Sequence, residues 1–548
     1  MTHEPQDSSA WATPGASAMT AAGAHHLPEL KRSLDPLFDL GDLCGRITIM
    51  QQADGRVVLV LLREYACSDE ADELERLVRA QKFVLACPSR IVAPAAELLA
   101  LVQRGAKPAR TARRECSALE DAFDEIIEFA CMNEASDVHF NVNTRQPRSQ
   151  VWFTIDGRYL LPDRFASMAS SALMDMLSVA WMRVRGGNGA VFDPAIEQQG
   201  RIRMAIRGRP IMLRWASLAA DSGPSVCLRL LRLDASPQDR TLAALGYLPT
   251  QIDALLHARA QQGGAIIVAG TVGAGKSTTL AALLAGITAT RKLITLEDPV
   301  EYVIEGALQN TLSRPLHAED DSVFDAKLRT IKRSALDDLL IGEIRDQQTG
   351  RAFMDLSLSG TRVYATTHTH AAMLIPDRLA SDFIGVSRHM LSSPGVLKLL
   401  VYQSLFPRLC QHCAGHWQNV PSSMDGHARD VSRFLHASGM SLERVRFRSA
   451  AGCAHCRRPQ LQALWGYAGR TVVAECIAPG QDDAVLECIR HRDTTGLRRH
   501  LRALARTAID DADMTHKSAR ECALFKTSIG EIDPVDLRAI LGQGEGDA

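Results

Sequence analysis

The stretch Gly270-Thr271-Val272-Gly273-Ala274-Gly275-Lys276-Ser277 fits the pattern G-x-x-x-x-G-K-[ST], and its residue types have definite chemical tasks. The glycines let the backbone wrap a phosphate with its N–H groups, and the positive end of a following helix strengthens that field. Lys276 is expected to reach the β- and γ-phosphates and Ser277 to ligate Mg²⁺, with Thr278 next on the first helical turn. The loop lies between "AIIVAG", a strand-like apolar run, and "STTLAALLAGIT", a helical pattern. Those flanks are what a phosphate loop needs and what a ligand-free glycine turn does not. The expected ligand is the phosphate chain of a nucleotide, with Mg²⁺.

Other polar groups also follow apolar, strand-like runs. "ITLEDPVEY" places Glu297, Asp298 and Glu301 after one strand, where carboxylates can hold Mg²⁺-bound water or orient an attacking one; surface acids after a strand are common too. "LDDLLIGEIRD" delivers Glu343, the place of a Walker B acid, with Gly342 where an aspartate is usual. "ATTHTHAA" supplies His368, able to donate a hydrogen bond to a γ-phosphate. A lone histidine is more often a satisfied core residue, but the neighbouring strand end favours the functional reading.

A second chemistry appears further along. "RLCQHCAGH" carries Cys410 and Cys413, and "AGCAHCRRP" carries Cys453 and Cys456. Two C-x-x-C knuckles offer the four thiolates of a structural Zn²⁺ site, with a redox disulfide as the alternative. The segment between them, with "ARDVSRFLHASGMSLERVR", suggests a helical insertion. The remaining nine of the 13 cysteines are scattered and read as small core residues of a reducing compartment.

These groups need elements to position them. Short β-rich runs alternate with helical stretches from Ala265 onward ("AIIVAG", "KLITLED", "DLLIGE", "TRVYATTH", "RTVVAEC"), which predicts a parallel sheet covered by helices, with ligands at the strands' carboxyl ends. Upstream, "ALEDAFDEIIEFACMNEA" is helical and "SDVHFNV", "QVWFTIDGRYL", "RIRMAIRGRPIMLRWASL" and "SVCLRLLRL" have strand spacing, predicting an α+β domain. Before that come a strand in "GRVVLVLLREY", a helix in "PAAELLALVQRG" and an exposed linker in "GAKPARTARREC". The expected organisation is a flexible tail over 1–28, a small N-terminal α/β docking domain over 29–105, a middle α+β domain over 117–235 and a P-loop (RecA-like) α/β motor domain over 240–548, with a zinc-binding insertion at 405–460.

In the order P-loop, "ITLEDPVEY", "LLIGEIRDQQTG", "TTHTH", the chain resembles the secretion ATPases of type II secretion and type IV pilus assembly, the GspE/PilB class; "ASDVHF", "FTIDGRYL", "QGRI" and "LGY" extend the likeness over about residues 117–545. The resemblance implies a homo-hexameric ring with ATP between middle and motor domains, pushing a pilus or pseudopilus through an inner-membrane platform protein. It also implies Glu343 handling Mg²⁺ or its water, Glu301 polarising the attacking water and His368 sensing the γ-phosphate. Arg214, Arg229, Arg329 and Arg333 stand at the positions of its charge-stabilising arginines, a task suited to the guanidinium fork, although a surface ion pair is the ordinary role of any one of them. Departures from the family pattern are Trp152 and Thr154 in place of arginines, Thr361 in place of histidine, "ALD" in place of "DPD", and His370 in place of asparagine.

Composition narrows the partners. The 548 residues hold 62 basic and 63 acidic side chains, a formal charge of −1, and 5% aromatics, which disfavours a nucleic-acid translocase and leaves no direct nucleic-acid contact expected. A catalytically weak structural ring is the other alternative; Lys276, Ser277 and Glu343 argue against it. No apolar run nears the roughly 20 residues needed to cross a bilayer and no export signal opens the chain, so the expected location is cytoplasmic, peripheral at the inner membrane through partners.

Overall fold

The computed structural model describes residues 30–38, 40, 43, 46–66, 68–93, 110–232, 241–312, 322–416 and 425–541. The chain divides into two compact units, Met1–Ala118 and Leu119–Ala548. In the first, strands β1 (Leu30–Ser33), β2 (Ile47–Gln52), β3 (Val57–Leu61) and β4 (Leu85–Val92) pair in that order. β3 is the strand expected in "GRVVLVLLREY", and all five of its residues are buried. Helix α1 (Asp69–Ala80) is capped by Ser68, whose hydroxyl accepts from the Ala71 N–H at 3.3 Å. It buries Ala71, Leu74 and Val78 in the core of this unit. The expected tail and the helix of "PAAELLALVQRG" lie outside the described residues.

Helix α2 (Arg110–Met132) begins inside the segment expected to be a linker. "RTARRECSALEDAF" is rich in Ala, Arg, Glu and Leu, strong helix formers, and contains no proline. α2 and helix α3 (Ser170–Trp181) cover an antiparallel sheet of β5 (Ala135–Asn141), β6 (Arg148–Ile155), β7 (Arg158–Leu160), β8 (Met168–Ala169), β9 (Gln199–Ile206), β10 (Arg209–Ala220) and β11 (Gly223–Arg232). Its order is β7-β6-β5-β11-β10-β9, with β8 pairing β6. Two tight hairpins, Asp156-Gly157 and Arg207-Gly208, have positive φ at both loop residues (50° and 78° in each), the twist that two-residue hairpins require. Phe123, Ile126 and Ile127 of α2 meet Val138, Phe140 and Phe153 of the sheet. A fully buried apolar side chain of this size contributes about 1.5–3 kcal/mol.

The second sheet contains, among the described residues, β12 (Gly264–Ala269), β13 (Leu293–Glu297), β14 (Leu308–Thr311), β15 (Asp338–Ile341), β16 (Arg362–Thr367), β17 (Leu397–Leu409) and β20 (Tyr467–Ile477), in the order β14-β13-β15-β16-β12-β17-β20. β12 is buried along its whole length because it is covered on both faces. Ile267 points into a core shared with helix α7 (Gln347–Leu358), whereas Ile266 and Val268 face helices α4 (Pro249–Ala260) and α5 (Lys276–Leu284). Helix α6 (Ser322–Lys332) packs Phe324, Leu328 and Ile331 on the α7 side. One strand departs from the expected direction: "RTVVAEC" belongs to β20, which runs antiparallel to β17 at the sheet edge. Between those two strands lie the hairpin-like pair β18 (Gly415–His416) and β19 (Arg446–Phe447) and helix α8 (Asp425–Ala437), which falls between the cysteine knuckles.

Candidate nucleotide cleft and cysteine cluster

β12 runs straight into the glycine loop, and the loop into α5. Gly270, Gly273 and Gly275 take φ of 155°, 78° and 81°, values open to glycine and strained for other residues. At Gly270 the space is closed as well, since a Cβ would lie 2.4 Å from the Gln403 carbonyl oxygen. Lys276 is 8% exposed; its ammonium donates to the carbonyls of Gly270 (3.0 Å) and Thr271 (2.9 Å) and lies 3.5 Å from His368 Nδ1. Burial pulls its pKa down, and the charges of Glu343 and Glu301 oppose that pull. Its own loop thus supplies oxygens that a phosphate could replace.

The carboxyl ends of the neighbouring strands bring acids to the same place. Glu297, the last residue of β13, is buried and accepts from Gln309 Nε2 at 3.1 Å; burial raises its pKa. Glu297 and Ser277 share a small recess with Tyr302 and Gly342. Thr278 Oγ1 donates to the Tyr302 hydroxyl at 2.9 Å. Just past β15, Glu343 Oε1 lies 3.3 Å from His368 Nε2, His368 being the residue after β16. Burial, and then the Lys276 charge, hold the His368 pKa below its ordinary value. Asp298 accepts from Arg345 at 2.8 Å.

The middle sheet closes the cleft from the other side. Arg214 of β10 and Arg229 of β11 are directly opposed in the strand register. Arg214 donates to the Asp298 carbonyl at 3.2 Å, a bond from one sheet to the other, and Arg229 pairs with Asp137 at 2.9 Å while its charge reaches Glu301. The cleft so formed measures about 820 Å³, and Val272, Gly273, Ala274, Lys276, Ser277 and Glu343 line its P-loop side. Arg329 and Arg333 are not among its lining residues; both are exposed on or just after α6.

The departures have local explanations. Thr154 lines the cleft and its hydroxyl meets His139 Nε2 at 2.9 Å, while Trp152 stacks on Tyr159 with ring centroids 4.6 Å apart and planes 4° from parallel. Of these two positions only Thr154 lines the cleft, so a hydroxyl faces it where a guanidinium was expected, and Trp152 is taken up by its stack with Tyr159. Thr361 is buried against the Ser359 hydroxyl at 3.1 Å, and His370 is exposed. Two further arginines line the cleft that the motifs had not singled out: Arg345, two residues past Glu343, and Arg470 of β20. Arg345 was visible in "GEIRD", whereas Arg470 had no signal because its strand comes from the far end of the chain.

The cysteine cluster is compact. Cys410, Cys413, Cys453 and Cys456 present four Sγ atoms all within 4.8 Å of one another, with Cys410–Cys453 at 3.8 Å, Cys413–Cys456 at 3.7 Å and Cys453–Cys456 at 3.8 Å. Tetrahedral sulfurs about 2.3 Å from a Zn²⁺ stand roughly 3.8 Å apart, so the donor set fits zinc. The separations are far longer than the roughly 2.05 Å of a disulfide, and the four thiols are free. Burial opposes ionisation of Cys456, yet N–H groups of Cys453 and Gly466 donate to its sulfur, both at 3.2 Å, and bring its pKa to about 7. The turn after the second knuckle is anchored in the middle domain: Leu461 and Leu464 belong to that core, and Arg458 pairs with Asp156 at 3.3 Å.

A mainly parallel sheet with a G-x-x-x-x-G-K-S loop between its central strand and a helix, facing strand-end acids, is the arrangement of a P-loop nucleotide-binding protein. Comparison with known proteins specifies the class further: residues 112–524 match the family described as type II/IV secretion system protein, and the chain belongs to that family. It is 33% identical over 357 residues to the type II secretion system protein E of Klebsiella pneumoniae, covering 64% of this chain and 63% of that one. It is 28% identical over 376 residues to the type IV pilus assembly ATPase PilB of Thermus thermophilus, covering 68% of this chain and 38% of that one. The chain thus spans less than two thirds of the length of each of these two relatives. Among solved structures, the Legionella pneumophila ATPase DotB has the same fold, with a TM-score of 0.50, 18% identity, and coverage of 77% of this chain and 95% of that one.

Proposed function

We propose that the chain is a Mg²⁺-dependent ATPase of a homo-hexameric ring, and that hydrolysis in the cleft between its two large sheets powers assembly of a type IV pilus or a type II secretion pseudopilus. The observation that carries this reading is the convergence of Lys276, Ser277, Glu343 and His368 with Arg214 and Arg229 on one cleft of about 820 Å³. The names of the relatives, a type II secretion protein E and a pilus assembly ATPase, support the output.

In this reading Gly270 to Thr278 wrap the phosphates, and Lys276 leaves its loop carbonyls to meet the β- and γ-oxygens. Ser277 would hold Mg²⁺, which would supply charge neutralisation at the phosphoryl oxygens, and Glu343, Glu297 and Asp298 line the same cleft as candidates to order its water. Glu301 orients the attacking water. His368, neutral because burial disfavours its cation, donates a hydrogen bond to the γ-phosphate and loses that partner on cleavage. Arg214 and Arg229 stabilise the transferring group from the opposite wall. Arg329 and Arg333, exposed on the outer surface, serve the site of the adjacent subunit. Zn²⁺ on the four cysteines is structural. Output passes through an inner-membrane platform protein, at which the ring is peripheral, with the N-terminal unit as docking piece.

The purified chain in Mg²⁺ and a non-hydrolysable ATP analogue should sediment as a six-chain species, and its ATP turnover should rise on adding the detergent-solubilised platform protein. A monomer at every concentration, with turnover indifferent to that protein, would contradict the motor reading.

A further inference from the structure

The P-loop is braced from behind by groups outside the cleft lining. Gln403, in the middle of β17, is wholly buried. Its side-chain amide donates to the Ala274 carbonyl at 2.6 Å, and its side-chain oxygen accepts from the Tyr247 hydroxyl, also at 2.6 Å. Its main-chain oxygen is the atom that closes the space at Gly270. Gln403 therefore touches the loop at both ends of its glycine run. Tyr247 is 3% exposed, and its hydroxyl lies 3.4 Å from Thr279 Oγ1 on the first turn of α5.

The brace continues away from the loop. Gly246, at φ 101°, is wedged so closely that a Cβ would lie 2.2 Å from Thr471 Oγ1, and its carbonyl accepts from the buried Lys526 ammonium at 2.6 Å. Gly246 and Tyr247 lie in the stretch of chain between β11 of the middle sheet and β12 of the parallel one. The P-loop is thus linked by hydrogen bonds to the segment that joins the two sheets.

A buried amide and phenol cost free energy unless what they hold is worth orienting, and an apolar side chain in a strand as apolar as β17 would pack as well. The loop supplies the reason. Gly273 and Gly275 flank Ala274, and glycines have little preference of their own for the one conformation that receives phosphate. We infer that Gln403 and Tyr247 are positioning residues, which hold the Ala274 carbonyl so that the P-loop stays preformed and which tie that loop to the interdomain segment. The inference rests on the nucleotide-binding reading of the cleft.

The test is calorimetric titration of full-length wild type, Tyr247→Phe, Gln403→Glu and the double variant with Mg·ADP, together with the KM and kcat of Mg·ATP hydrolysis. Tyr247→Phe removes one oxygen and keeps the ring. It should weaken Mg·ADP about fivefold to tenfold, the size of one buried hydrogen bond, and raise KM by a like factor with kcat little changed, because a loop that must be ordered loses ground-state and transition-state binding alike. Gln403→Glu should be pH-dependent. A protonated carboxyl can still accept from Tyr247 and donate to Ala274, so affinity should approach wild type at low pH; ionised, it sets an anion against a carbonyl, and affinity should fall more than tenfold relative to wild type as pH rises. The double variant should lose less than the sum. Wild-type Kd and KM in both single variants, or a lowered melting temperature with Kd and KM unmoved, would overturn the inference. Wild type failing to bind Mg·ADP would instead remove the nucleotide reading, and the brace with it.

Discussion

Gly342 shows how one residue can set the chemistry of the site. The place where P-loop proteins usually carry an aspartate is filled here from the adjacent strand: a Cβ on Gly342 would sit 3.3 Å from both Glu297 Cα and the Leu296 carbonyl oxygen. Glu297 therefore occupies space that a second acid would need. Gly342→Ala should cost about 1–3 kcal/mol by overpacking, and Gly342→Asp should lower the melting temperature and abolish ATP turnover rather than restore a conventional acid. A stable, active Gly342→Asp protein would refute this account. His368 makes a pH prediction. Burial and Lys276 keep its folded-state pKa below the ordinary value, so as pH falls below about 6.5 the unfolded chain takes up the proton first, and stability contributed at neutral pH is lost. Wild type should lose stability relative to His368→Asn between pH 7 and 5 in denaturant titrations; parallel curves would show that His368 is not held neutral.

At the scale of elements, legibility followed locality. The glycine loop could be read because its glycines, lysine and flanking patterns are contiguous, and the cysteine knuckles because two short spacings suffice for a tetrahedral donor set. What escaped depended on distant partners. β17 reads as a plain apolar run, "LKLLVYQSLFPRL", and nothing in it announces that Gln403 meets Ala274, 129 residues away in sequence. The direction of β20 is likewise set by the 57 residues that separate it from β17 (Leu409 to Tyr467), which carry the cysteines and return the chain antiparallel. The start of α2 was hidden by a proline and a run of basic residues that resemble a solvated linker. The cysteine module makes its own prediction. Metal analysis should find one zinc per chain, and removal by a chelator, or Cys410→Ser, should unfold the knuckles, since such sites contribute on the order of 10 kcal/mol to folding. Because Leu461 and Leu464 sit in the middle-domain core, amide exchange should also quicken there. Zinc-free protein with unchanged exchange at β5 and β6 would contradict a structural role.

At the scale of the whole molecule, residues of two sheets meet in one cleft. The antiparallel sheet supplies Arg214 and Arg229, the parallel one supplies the P-loop and strand-end acids, and the Arg214 bond to Asp298 already crosses between them. No helix among the described residues is long and apolar enough to cross a membrane. All of this depends on Mg·ATP being cleaved where Lys276 waits. The direct measurement is steady-state phosphate release from Mg·ATP by the purified full-length protein and by Lys276→Ala, at matched concentration and matched folding by circular dichroism. Wild type should turn over ATP, and Lys276→Ala should release no phosphate above background. Equal turnover by the two proteins, or none by either, would contradict cleavage at Lys276.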